Sequence, residues 1–208
     1  MSNNDAYPGL NLGGGHGEAD QKAEPIVFGF WVFLMSDLII FGILFASYAA
    51  YLDPIGLAGA PGPSELFDIR SVAIQTALLL VGGTAYAGVS LSVKYWDGRG
   101  KVIAWLLVCA VFGAAFLYFE ISDFLTQAGR GGVPQASGWL STYFALVGLH
   151  GLHVFAGILW ILAMVGQILW RGIDDTVKVR LSMLGVFWHF LDLIWVGIFS
   201  FVFLVPLA

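Results

Sequence analysis

Five long runs of apolar residues dominate the chain, separated by short polar segments. They cover residues 26–52, 72–93, 102–127, 139–170 and 181–208. Within each run the apolar positions are continuous, not alternating, so half-buried strands with a period of two are excluded. A helix crosses the ~30 Å hydrocarbon core of a bilayer with about 20 residues, and every run is long enough. In lipid each backbone N–H and C=O must be satisfied internally, which leaves helices or closed barrels. The pattern therefore predicts an all-α, polytopic integral membrane protein, a bundle of five transmembrane helices. The fourth and fifth runs exceed the minimum length and are expected to tilt or to project beyond the bilayer.

The polar segments define the organisation. Residues 1–25 carry Gly13-Gly14-Gly15 and four acids, without the basic start and short apolar core of a signal peptide. They are expected to form a mature, mobile cytoplasmic tail in which His16 is a solvated residue. The first loop, 53–71, holds Pro54, Pro61 and Pro63, and its Pro63-Ser64-x-x-Phe67 stretch predicts a short surface turn. With five crossings, Lys22, Lys94, Arg99, Lys101, Arg171, Lys178 and Arg180 fall on one side and Arg70 and Arg130 on the other. Basic residues are retained on the cytoplasmic side. The expectation is an N-terminus in the cytoplasm and a C-terminus outside.

Composition narrows the function classes. Only 11% of the 208 residues are charged, against about 25% in soluble domains. The net charge of −5 gives no basic face for nucleic acid. The single cysteine, Cys109, lies in an apolar run; it reads as a buried thiol, without a disulfide framework or a Cys-based metal site. No phosphate-binding loop or nucleophile elbow is present. Paired broken helices, the mark of an inverted-repeat transporter, are missing as well. Gly83-x-x-x-Ala87 is a small-xxx-small pattern of the kind that lets helices approach closely.

Candidate chemistry lies in the few ionisable residues inside the runs: Asp37, Glu120, Asp123, His150, His153, His189 and Asp192. Each intramembrane Asp costs roughly 2.5–3.5 kcal/mol on insertion scales. Glu120/Asp123, His150/His153 and His189/Asp192 are spaced i,i+3, so each pair shares a helix face. At ~1.5 Å per residue, Asp37, His150, His153 and Asp192 fall in a layer near the midplane, and Glu120 and Asp123 nearer the outer end. Three readings compete: hydrogen bonds that fix helix packing, haem ligation by His150 or His153 with His189 as in a five-helix quinone-reactive cytochrome b, and proton handling by Asp37. A dedicated metal site lacks a ligand-dense motif.

The strings FGFWVFLMSD (28–37), FALVGLHGLHV (144–154) and FWHFLDLIW (187–195) resemble subunit 3 of the haem–copper terminal oxidases, in particular the short five-helix form of the ubiquinol-oxidising, cytochrome o branch. The resemblance runs from about residue 25 to the C-terminus. It implies an accessory subunit of a bacterial proton-pumping quinol:oxygen oxidoreductase in the cytoplasmic membrane. The chain would hold no haem or copper of its own, those centres lying in subunit 1. It would pack directly on subunit 1, belong to a complex that also has subunits 2 and 4, bind phospholipid, and support assembly, stability and proton uptake. Three intramembrane histidines are too few for a haem–copper centre, which agrees. Asp37 matches a position where longer cytochrome c oxidase forms have a glutamate after serine. His150, His153, His189 and Asp192 match the family strings directly, and Glu120 and Asp123 match a less regular acidic segment. On this reading Asp37, His150, His153, His189 and Asp192 form an interior polar network and Glu120 and Asp123 a second cluster, with structural, lipid-contacting or proton-modulating roles and no bond-making catalysis. Ubiquinol is the substrate implied for the complex, with a cytochrome c oxidase or another haem–copper oxidase as the alternative.

Overall fold

A computed structural model describes residues 16–95 and 98–207. Its first helix, α1, runs from His16 to Tyr51, starting ten residues ahead of the first apolar run. Of the tail expected at 1–25, residues 1–15 lie outside the described residues, and the remainder is helical. Residues 16–24 are rich in Ala, Glu, Gln and Lys, which favour helix when the chain ahead already propagates one.

The connection after α1 carries two short helices, α2 (Pro54–Leu57) and α3 (Pro63–Leu66), each with proline at its start, where the missing N–H is not needed. The segment expected to be a surface turn ends in a buried anchor. Phe67 is 9% exposed and its ring lies 5.9 Å from Trp139, 5.0 Å from Tyr143 and 4.8 Å from Phe203.

The remaining spans are α4 (Ile69–Lys94), α5 (Arg99–Gly129), α6 (Gly138–Arg171) and α7 (Asp175–Ile198). Their starts are set by polar caps. Asp68 accepts from the Arg70 N–H at 3.0 Å, Ser137 from Leu140 at 3.1 Å and Asp174 from Val177 at 2.8 Å, satisfying orphan donors of the first turn. The Asp174 cap moves the start of α7 to Asp175, well ahead of residue 181, and the extra turns carry Lys178 and Arg180. At its far end α7 widens into a π-helical stretch, Phe199–Leu204, then a 3₁₀ turn, Val205–Leu207. Pro206 lacks the N–H that an α-helix would need there.

Five helices, those of α1, α4, α5, α6 and α7 with its extension, are long and apolar enough to cross a membrane, and the protein is a multi-pass membrane protein. α4, α5, α6 and α7 close a four-helix ring in which each packs on the next and α7 returns to α4. α1 leans on the outside of this ring, against α6 and α7. Its buried positions are Leu34, Asp37, Phe41 and Tyr48, a heptad-like seam with one acid in it. Cys109 is buried in α5.

Candidate functional site: intramembrane polar pairs

The seven ionisable residues do not form one network. They divide into separate groups, because helix rotation turns each side chain toward a different neighbour.

The first group joins α1 to α6. His153 Nε2 lies 3.3 Å from Asp37 Oδ2. The other ring nitrogen, Nδ1, donates to the Leu149 carbonyl at 2.8 Å, since a carbonyl can only accept. That bond leaves Nε2 facing a carboxylate oxygen. One further proton, on Nε2 or on the carboxyl group, is required to make the contact attractive. Asp37 Oδ2 has no aligned hydrogen bond among the described residues, so the approach is close but its angular geometry is poor. Phe41, one turn along α1, packs on His153 at 5.5 Å and keeps the pair dry on that side.

The second group lies on α7. His189 Nδ1 approaches Asp192 Oδ2 at 3.4 Å, and the His189 ring meets Tyr86 of α4 edge-on at 6.3 Å. Asp192 presses against α4 at Gly83, where a Cβ would overlap its carboxylate. The small residue there makes room for a polar side chain rather than for a bare helix–helix crossing.

His150 stands apart. It is fully buried and neither ring nitrogen has a partner among the described residues. Three rings enclose it: Trp195 at 5.2 Å, Phe116 at 5.7 Å and Phe41 at 6.5 Å. The three imidazoles thus turn to α1, to an aromatic cage, and to Asp192 and α4. They do not converge on a shared space, so this geometry does not fit haem ligation by His150 or His153 with His189. No group of three or more His, Cys, Asp or Glu among the described residues is placed to hold a metal ion.

The acids of α5 also part. Glu120 is 4% exposed, with its Oε2 unpartnered among the described residues. It lies against Gly151 of α6, where a Cβ would come within 2.5 Å of its carboxylate. Asp123, half-buried, turns to α4. It accepts from Ser71 at 2.8 Å and from Gln75 Nε2 at 2.6 Å.

Several members of these groups have no place in the sequence reading. Ser71 and Gln75 hold Asp123, Gln127 donates to the Tyr143 hydroxyl at 3.0 Å, and Trp195 Nε1 donates to Thr76 at 3.0 Å. Gln75 and Thr76 sit in the charge-free second run, and a buried amide there is the one signal that would have pointed to a partner acid.

Two of the grooves among the described residues flank α1. One, about 530 Å³, is lined by apolar side chains including Phe45, Leu52 and Phe201. The other, about 510 Å³, lies between α1 and α7 and includes His189, Ser90 and Ser182.

Residues 5–206 match the family described as cytochrome c oxidase subunit III. The chain belongs to that family. Among its relatives is the cytochrome bo(3) ubiquinol oxidase subunit 3 of Pseudomonas aeruginosa, 39% identical over 93% of this chain and 91% of that one. The Pseudomonas putida protein of the same name is 42% identical over 88% and 87%. The quinol oxidase subunit 3 of Bacillus subtilis is 32% identical over 88% of each. The subunit III family thus extends here across all five spans and every polar pair described above.

Proposed function

We propose that this chain is the accessory subunit 3 of a bacterial, proton-pumping quinol:oxygen oxidoreductase of the haem–copper class. The observation that carries the reading is the near end-to-end similarity to chains named cytochrome bo(3) ubiquinol oxidase subunit 3. The haem and copper belong to a partner subunit 1, against which this chain packs, within a complex that also has subunits 2 and 4. Residues 26–208 form the transmembrane domain. The excess of basic residues at one end sets that end in the cytoplasm, so that the N-terminus is cytoplasmic and the C-terminus periplasmic. Phospholipid chains cover the apolar faces. Asp37 with His153, His189 with Asp192, the caged His150, and Glu120 and Asp123 lock helix register and hold protons at defined depths. None of them breaks or makes a substrate bond.

The test is purification of the tagged chain from its own membranes in mild detergent. A haem-bearing partner and ubiquinol oxidation should copurify with it, and deletion of the chain should reduce assembly, stability or proton pumping. A stoichiometric Soret absorption from the chain alone would overturn the accessory role. A complex that oxidises reduced cytochrome c and not ubiquinol would move it to the cytochrome c branch.

A further inference from the structure

The indole of Trp188 lies inside the ring of α4, α5, α6 and α7 and is 1% exposed. Glycines make room for it and for its neighbour Asp192. A Cβ at Gly113 of α5 would come within 2.9 Å of the Trp188 ring, and one at Gly157 of α6 within 3.1 Å. A Cβ at Gly83 of α4 would overlap the Asp192 carboxylate. Gly82 of α4 differs from all of these. It is buried, yet a Cβ there would meet nothing nearer than the Phe112 Cβ at 3.4 Å, with Trp188 Nε1 at 3.8 Å and the Cys109 carbonyl oxygen at 3.9 Å. A notch about one methyl group in size is left where α4, α5 and α7 meet, and polar atoms border it.

The polar side chains at this junction are unmet. Trp188 Nε1 and Asp192 Oδ1 are both buried without a hydrogen-bond partner among the described residues. Asp192 Oδ2 faces His189, so Oδ1 is the oxygen left over. Four positions apart, Trp188 and Asp192 share one face of α7, and that face meets the adjacent pair Gly82–Gly83. Asp192 Oδ1 lies 3.6 Å from the place a Gly83 Cβ would take. An indole N–H can only donate, and an ionised carboxylate can only accept. The Cys109 carbonyl, inside the α5 ladder, has a second lone pair to offer. The junction thus presents one donor and two acceptors. An apolar occupant would leave all three unmet, a cost that buried polar groups seldom carry. A cation is repelled by the N–H and an anion by the carboxylate. Only a small neutral molecule that both accepts and donates answers this set.

We propose that one water molecule is bound in the Gly82 notch, accepting from Trp188 Nε1 and donating to Asp192 Oδ1 and to the Cys109 carbonyl, and that it ties α7 to α5. Three hydrogen bonds are the usual complement of a buried water, and a sphere of about 1.4 Å radius is smaller than a methyl group. The water continues the His189–Asp192 pair from the edge of the ring to its interior. All of its partners belong to this chain and lie inside the ring, so the site is the same whatever subunit or lipid covers the outer faces.

The test is a cryo-EM map of the intact complex in lipid nanodiscs, at a resolution that shows buried waters. A peak is expected at about 2.7–3.2 Å from Trp188 Nε1, Asp192 Oδ1 and the Cys109 oxygen. Gly82→Ala fills the notch at ordinary contact distances and should abolish the peak. The rate at which heat releases this chain from the complex gives the second reading. Alanine favours the helix over glycine, so filling a dry notch should slow release. Displacing the water leaves the Trp188 N–H unmet and should speed release by about fivefold. A wild-type map without the peak, where other interior waters are resolved, overturns the proposal in favour of a dry notch. A direct bond from Trp188 Nε1 to Asp192 Oδ1, or a peak that survives Gly82→Ala, overturns it too. Release that is slower or unchanged in Gly82→Ala overturns the water as a tie between helices, even with the peak lost. If Gly82→Ala does not assemble, the wild-type map decides for or against the water, and Trp188→Phe, which removes the donor, should weaken the peak.

Discussion

Asp37 and His153 meet at 3.3 Å between α1 and α6, and a third atom governs the contact. Because His153 Nδ1 is committed to the Leu149 carbonyl, Nε2 meets Asp37 through its lone pair unless a proton is added. Each partner of the contact therefore depends on the other. Asp37→Leu would leave a largely buried Nε2 facing an apolar wall, at a cost of about 1–3 kcal/mol for an unmet polar group. His153→Leu would leave the carboxyl group in the same state. The double variant removes both polar atoms, so its loss should fall short of the sum of the single losses by roughly 0.6–1.7 kcal/mol, the range for polar contacts between membrane helices. Reversible unfolding of the purified protein in mixed detergent micelles measures this, and additive losses would mean that the two residues do not interact.

At the scale of elements, the interface between α4 and α7 is built from reciprocal polar and small positions. The Tyr86 hydroxyl donates to the Leu181 carbonyl at 2.6 Å, and a Cβ at Gly185 would strike the Tyr86 ring at 2.7 Å. Leu181 already lies inside the α7 ladder, so its carbonyl keeps a partner without Tyr86. Tyr86→Phe should therefore cost at most about 0.5–1.5 kcal/mol and leave the helix count unchanged by circular dichroism. A larger loss would show that the hydroxyl also organises the neighbouring His189–Asp192 pair. The existence of these helices was legible in the sequence, since run length and lack of charge decide whether a segment spans. Which residues meet was less legible. The i,i+3 spacing treated both histidine pairs alike; in the structure His189 lies beside Asp192, whereas three positions along α6 turn His150 into the aromatic cage and His153 toward Asp37. Gln75 and Ser71 escaped notice because they carry no charge, although the amide of Gln75 within an apolar run points to a buried partner. The early start of α7 was missed for a related reason: its first turns are polar, and the cap at Asp174 that launches them is outside the apolar run.

The molecule as a whole is a closed ring with one helix leaning on it. Only 17% of the α1 apolar window is buried, against 44% for α4 and for α7 with its extension. Ile39, Ile40 and Ile43 face outward, toward lipid or a partner chain. What ties α1 to the ring is its single seam, Leu34, Asp37, Phe41 and Tyr48, with Tyr48 donating to the Val202 carbonyl at 3.2 Å. Apolar burial drives little association within lipid, so close packing and the Asp37–His153 contact must hold this seam. Phe41 is its centre, touching His153, His150 and Phe190. Phe41→Ala should then act locally, because a helix bound through one seam can open without the ring. Hydrogen exchange followed by mass spectrometry should find faster exchange in α1 peptides from about Phe28 onward, with α4 and α5 peptides unchanged. The same variant should weaken the hold on His150 without releasing it, since Trp195 and Phe116 still enclose that ring. Faster exchange spread evenly over all five spans would mean that α1 and the ring are one cooperative unit, and that the seam is an integral part of the core.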